Sequence, residues 1–110
     1  MKIAILLKSA PFSAEAHRAL QVTRDMMSQG HSVNLYLLQD AVRFSQSDSK
    51  NASSIELTHL VDKGLRVSFL IQDAELRGID VTSAKSEISG GSYETSMDLM
   101  ESSDRVIGLL

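Results

Sequence analysis

Short apolar runs alternate along the chain with longer segments whose apolar residues recur at helical spacing. The first run, Lys2–Leu7 (KIAILL), is apolar throughout after its first residue, which is typical of a parallel strand buried on both faces. Further runs rich in strand-forming residues are Ser32–Leu38, Arg66–Ile71, Glu87–Ser89 and Arg105–Leu109. The pattern therefore predicts five strands.

Residues that start and stop helices frame the segments between these runs. Ser13 is placed to cap a helix that ends before Gly30, where glycine is favoured after a helix C-terminus. One face of this helix is apolar or small, with Ala16, Ala19, Leu20, Thr23, Met26 and Met27. The helical spacing of these positions predicts that this face packs on the sheet.

A second helix is predicted to begin at Ser53 and Glu56, which have the spacing of a capping box, and to end at Gly64. Its inner face would be Leu57, Leu60 and Val61. The preceding residues 45–52 are polar and without a pattern, so we expect a mobile loop there.

Shorter elements are predicted between and after these segments. We expect a helical turn at Asp40–Phe44, a short helix at Gln72–Arg77 and irregular chain at Ile79–Ser86. Gly90 and Gly91 predict a turn. Ser92 is then the expected cap of a last helix with one side formed by Tyr93, Met97 and Met100.

This alternation of strands and helices predicts an α/β protein, a three-layer α/β/α sandwich around a five-stranded, mainly parallel sheet. At 110 residues, the chain is the size of one domain, which we place at residues 1–110. Aromatic residues make up only 5% of the sequence, so the core must be built largely from aliphatic side chains.

Charge and composition exclude several classes of function. The formal net charge of −3 leaves no basic excess to neutralise phosphates, so we expect neither a nucleic-acid nor a membrane-surface partner. The first apolar run is too short for a signal peptide, and no run reaches the ~18 apolar residues of a membrane span. A soluble cytoplasmic protein is therefore expected.

Known cofactor motifs are missing from the loop after the first strand. The segment KSAPFSAE has no glycine, which disfavours both a dinucleotide-binding turn and a phosphate-binding P-loop. Lys8-Ser9 stand directly after the strand, where a phospho-acceptor domain has acidic residues, and Phe12 is the only aromatic residue of the segment, which disfavours flavin. The histidines, His17, His31 and His59, have no metal-ligand spacing. We predict no cofactor, no metal and no catalytic residue.

Ligands of parallel sheets bind at the carboxyl ends of the strands, and polar side chains follow the first three predicted strands. The candidate ligand-binding residues there are Lys8, Ser9, Phe12, Asp40, Gln72, Asp73 and Arg77. A structural alternative exists for two of them. Asp73 would complement a helix dipole, and Arg77 would pair with Glu75 or Asp80.

Three segments give the chain a resemblance to the DsrE/DsrF/TusD sulfur-relay family. They are the strand–helix–strand unit that closes with Leu38-Gln39-Asp40-Ala41-Val42, the strand that leads to Leu76-Arg77-Gly78, and the final Ser103-Asp104-Arg105-Val106-Ile107. Their order and spacing over the whole chain carry the resemblance, since no single motif is strong. The resemblance implies a DsrEFH-like fold and assembly into homo-oligomers or hetero-oligomers.

The resemblance also implies a persulfide-carrying cysteine at Leu70–Asp73, but the chain contains no cysteine. Persulfide transfer requires a thiolate, so this chain should not perform it alone. We therefore expect a non-catalytic oligomeric scaffold or binding subunit in sulfur metabolism, alone or with a partner subunit that brings the cysteine. The alternative is a small-ligand-binding protein or enzyme that uses the pocket at the carboxyl edge.

Overall fold

The five predicted strands form one sheet in the computed structural model, which describes residues 1–46, 52–83 and 88–109. The strands are β1 Lys2–Leu7, β2 Ser32–Leu37, β3 Arg66–Leu70, β4 Ile88–Gly91 and β5 Arg105–Leu109. Their order across the sheet is β4-β3-β2-β1-β5, and every neighbouring pair is parallel. The expected five-stranded α/β architecture is thus confirmed, with a sheet that is parallel throughout.

Helices cover the two faces of this sheet unequally. The helices are α1 Ala14–Ser28, α2 Ala52–Asp62, α3 Ile71–Leu76 and α4 Tyr93–Ser102. The first three connect strands in one direction across the sheet, whereas α4 leads back from β4 to β5 at the far edge. Because such crossovers are right-handed, α4 lies on the opposite face from the other three. Among the described elements, it is the only helix on that face.

Successive residues of each strand point alternately to the two faces of the sheet. On β1, Ile3, Ile5 and Leu7 belong to the main core together with Leu20 of α1 and Leu57 of α2. The intervening side chains point to the α4 face, since successive strand residues alternate. Tyr36 of β2 also points to the α4 face and is only 1% exposed. Its hydroxyl donates a hydrogen bond to the carbonyl of Ser92, just before α4, at 3.1 Å.

The predicted boundaries of α1 are confirmed. The Ser13 hydroxyl accepts the Ala16 N–H at 3.1 Å, which satisfies a free amide of the first turn. The helix ends at Ser28, and Gly30 has a φ of +90°, a left-handed conformation that glycine adopts without a Cβ penalty. Ala16, Ala19, Leu20 and Thr23 are its buried face, as predicted.

The capping box predicted at the start of α2 is wrong. The helix already begins at Ala52, so Ser53 lies inside its first turn and is buried. The Glu56 carboxylate forms an ion pair with Arg24 of α1 instead. Glu56 therefore joins α2 to α1 and does not cap its own helix. Most of the predicted loop 45–52 lies outside the described residues.

The turn predicted at Gly90 and Gly91 is also wrong, because both glycines belong to β4. A Cβ on Gly90 would lie 2.9 Å from Cγ1 of Ile71, and one on Gly91 would lie 2.5 Å from Oγ1 of Thr95. Close packing on both faces of the edge strand thus explains the two glycines. The predicted Glu87 start of this strand lies outside the described residues.

Smaller elements differ by a residue or two from their predicted bounds. The turn predicted at Asp40–Phe44 is a 3-10 helix over Gln39–Ser45, and a second one spans Val81–Ser83, inside the segment expected to be irregular. The last helix begins after Ser92 as predicted, where Ser92 and Thr95 form a reciprocal capping box. Among the described residues, no helix has the length and apolar character needed to cross a membrane.

Gly91→Ala should destabilise the protein by about 1–3 kcal/mol, because the new methyl group would displace the Thr95 side chain from its cap. Gly108→Ala is the matched control, since a Cβ there meets no atom within 4 Å. Urea unfolding followed by circular dichroism measures both variants. Equal midpoints for the two would contradict the close packing of β4 against α4.

Candidate functional site

The carboxyl edge of the sheet brings the ends of three neighbouring strands together. Lys8 and Ser9 follow β1, Asp40 follows β2, and Gln72 and Asp73 lie in the first turn of α3, directly after β3. Since β1, β2 and β3 are adjacent and parallel, these residues share one edge, as the sequence predicted.

A cluster of three predicted site residues forms at this edge. The Arg77 guanidinium donates from Nε to Oδ1 of Asp40 at 2.9 Å and from Nη1 to the Asp73 carbonyl at 3.1 Å. The partner of Arg77 is thus Asp40, and not Glu75 or Asp80, the two acids expected from the sequence. The ion pair is partly exposed, with 22% of the Arg77 side chain and 57% of the Asp40 side chain accessible, so its contribution to stability is small.

Asp73 binds the backbone of Gln39, which has a strained conformation. Its Oδ2 atom accepts the backbone N–H of Gln39 at 2.7 Å. Gln39 has a φ of +49°, and among the described residues other than glycine it alone has a positive φ. The left-handed conformation costs about 1–2 kcal/mol for a residue with a Cβ. Asp73 thus fixes a turn between β2 and the following 3-10 helix, a role beyond the predicted complement to a helix dipole.

The other predicted site residues stand apart from this cluster. Lys8 and Gln72 are exposed, Ser9 is half-buried and Phe12 is 81% exposed. In the described parts of the chain, no hydrogen bond or ion pair joins any of them to Asp40, Asp73 or Arg77. Nor do the described residues bring together three His, Cys, Asp or Glu side chains that could hold a metal ion.

The segment where the resemblance implies a cysteine is largely occupied by packing. Leu70 is 1% exposed, and Ile71 packs against the core cluster beside Gly90. Gln72 is exposed, and Asp73 is bound to Gln39 as described above. Neither an amide nor a carboxylate can carry a persulfide, so this edge offers hydrogen bonds and charge but no sulfur nucleophile.

A cleft on the opposite face of the sheet was not predicted from the sequence. It has a volume of about 460 Å³ and lies between α4 and strands β2 to β4. We call it the α4 cleft, and its polar walls are Tyr36, Ser68, Thr95, Asp98 and Ser102. Burial raises the pKa of the Tyr36 phenol, although hydrogen bonding with Thr95 and Ser96 opposes this shift. The i, i+3, i+7 spacing of Thr95, Asp98 and Ser102 was a signal for one polar helix face.

A family model identifies the family of the chain, and two solved structures share its fold. The model of the DsrE/DsrF-like family matches residues 1–109. No curated protein matches the chain. The ychN protein from E. coli has 21% sequence identity, a TM-score of 0.88 and 98% coverage of both chains. MTH1491 from Methanobacterium thermoautotrophicum, a protein of unknown function, has 12% identity, a TM-score of 0.81 and 97% coverage of both chains.

Asp73→Ala should lower the free energy of unfolding by about 1–3 kcal/mol, because the Gln39 N–H loses its acceptor in a strained turn. Gln72→Ala, at the exposed neighbouring position, should change stability by less than about 0.5 kcal/mol. Urea denaturation measures both. Equal effects would show that the Asp73–Gln39 bond contributes nothing special to this edge.

The stability of the protein should fall as the pH rises above about 10, partly through Tyr36. Because burial raises the pKa of Tyr36 in the folded state, its contribution is complete below the pKa of an unfolded tyrosine and is lost as the pH passes the folded value. Tyr36 and Tyr93 are the two tyrosines of the chain, so an absorbance titration of Tyr93→Phe reports Tyr36 alone. A phenolate that forms at the pH of free tyrosine would contradict the burial effect.

Proposed function

The chain belongs to the DsrE/DsrF-like family, and on this premise we propose that it is a non-catalytic member that acts as an oligomeric scaffold or binding subunit associated with sulfur relay in the cytoplasm. The proposal concerns the fold and the surfaces of the chain and not a reaction, since the sequence contains no cysteine. Without a thiolate, the chain cannot form the persulfide on which sulfur transfer depends.

The observation that carries this proposal is that residues Leu70–Asp73 form packing contacts and a backbone hydrogen bond that stabilise the fold. Leu70 and Ile71 are packed, and the Asp73 carboxylate anchors Gln39. A site that had merely lost its nucleophile would keep an open pocket around the missing group. Here the substituted residues have contacts that hold β2, β3 and α3 together, which supports a structural role for the segment.

A small-ligand-binding protein or enzyme at the carboxyl edge is the alternative. It would use Lys8, Asp40, Asp73 and Arg77. An anion could reach Arg77 only by competing with its bonds to Asp40 and the Asp73 carbonyl. Asp73 in turn would have to release the Gln39 N–H to meet a ligand. These competing bonds make the edge a weaker candidate for a binding site than for a structural one.

The flank of α4 that lies away from the α4 cleft supports assembly. Tyr93 and Met97 are one helical turn apart and are 57% and 56% exposed, and Val106 of β5 is 41% exposed. Strand β5 ends the sheet and pairs with β1 alone among the described strands. Apolar side chains beside an edge strand favour coverage by another subunit. We propose a second copy of the chain, or a DsrE-like subunit that carries the cysteine, as this partner.

Met97→Glu should weaken assembly by about tenfold or more, because a charge would be buried in the proposed interface. Ile55→Glu is the matched control, since Ile55 is 51% exposed on α2, on the opposite face of the sheet. Analytical ultracentrifugation over a range of concentrations measures both variants beside the unmodified chain.

A monomer at all concentrations for the unmodified chain would contradict the homo-oligomer. In that case, a pull-down from the native cell tests the hetero-oligomer, and recovery of this chain alone would remove the scaffold proposal as a whole. Equal dissociation of the Met97→Glu and Ile55→Glu variants would instead place the interface elsewhere.

A further inference from the structure

We propose that the α4 cleft binds a small organic cation, an ammonium or guanidinium group on a short apolar stem. The cleft lies on the other flank of α4 from Tyr93 and Met97, and none of the seven candidate residues at the carboxyl edge lines it. Its volume of about 460 Å³ falls in the range of about 300–1,000 Å³ that is usual for small-molecule sites.

Three of the four hydroxyl groups that line the cleft are available to a ligand as hydrogen-bond acceptors. Tyr36 and Thr95 each donate to the Ser92 carbonyl, at 3.1 Å and 2.8 Å, and Ser102 donates to the Leu99 carbonyl at 3.1 Å. A carbonyl oxygen cannot donate, and a hydroxyl has one hydrogen, so the hydrogen of each group is committed to these bonds. These three hydroxyls therefore offer only lone pairs, and a ligand that binds them must supply the donors.

Asp98 adds a negative charge to this set of acceptors. Its side chain is exposed, and it has no hydrogen bond or ion pair with any described residue. Helix α4 contains no Lys or Arg that could neutralise it. Arg66 projects from the same face of β3 as Ser68 but forms no ion pair with Asp98. The free carboxylate thus favours a cation over a neutral donor.

The remaining wall of the cleft is suited to a hydrocarbon stem. Leu99 and the ring of Tyr36 supply apolar surface, and Gly90 and Gly91 present backbone without side chains. The Ser68 hydroxyl has no partner among the described residues and can accept or donate. A cation with a short apolar stem would satisfy the acceptors and cover the apolar wall together.

Isothermal titration of the full chain with pentylamine and pentylguanidine, beside pentanol and valerate, tests the proposal, because each probe has an apolar stem and a single head group. We expect the two cations to bind and the neutral and anionic probes to bind at least about tenfold more weakly. Asp98→Asn keeps the shape of the side chain and should weaken cation binding by about tenfold or more. Glu101→Gln removes one charge from an exposed position of α4 outside the cleft and should leave affinity within about twofold, a shift below ~0.5 kcal/mol.

Several results would overturn the proposal. These are the absence of cation binding at millimolar concentration, equal binding of valerate, and equal effects of Asp98→Asn and Glu101→Gln. The same variants are compared by ultracentrifugation, because an Arg or Lys side chain of a second copy has the same chemistry as the probes. We expect no change in assembly with Asp98→Asn, and a change would assign the cleft to a neighbouring subunit instead.

Discussion

The unequal covering of the two sheet faces is the constraint on which most of this structure depends. Three helices seal one face, and the single return crossover leaves α4 to cover the other. A helix of 10 residues spans ~15 Å, which is less than the width of a five-stranded sheet at about 4.8 Å between strands. Its position must therefore be held by specific contacts, and both of its flanks stay partly open.

The carbonyl of Ser92 supplies much of that specificity. It accepts hydrogen bonds from the buried phenol of Tyr36 and from the hydroxyl of Thr95, which also completes the helix cap. The backbone N–H of Ser96 donates to the same oxygen at 3.1 Å, so three donors share its two lone pairs. The same bonds orient the hydroxyls of the α4 cleft as acceptors. Attachment of the helix and the chemistry of the cleft thus have one physical origin.

At the carboxyl edge, long-range hydrogen bonds join the ends of neighbouring strands. Asp73 reaches Gln39 and Arg77 reaches Asp40, which links the ends of β2 and β3. A residue engaged in holding a strained backbone is poorly suited to bind a ligand, because the ligand would have to compete with it. The edge and the two flanks of α4 therefore suggest separate roles for three parts of a small chain.

Local chemistry allowed much of the fold to be predicted from the sequence. The first and last strands, the Ser13 cap, the end of α1 at Gly30 and the Ser92 cap depend on residues within about four positions of each other, so pattern alone finds them. The shared edge of the site residues also followed, because parallel strands place their ends together. The resemblance to the family then agreed with the family model over residues 1–109.

The tertiary structure decided what depended on partners far apart in sequence. Glu56 forms an ion pair with Arg24 instead of the predicted helix cap. Gly90 and Gly91 belong to a closely packed strand instead of a turn. Arg77 binds Asp40, which is 37 positions away in the sequence. The α4 cleft joins β2, β3, β4 and α4, so no local window contains it. The sequence by itself determined the elements and the absence of a thiol. The order of the strands determined which side chains meet, because long-range contacts follow from topology and not from spacing along the chain.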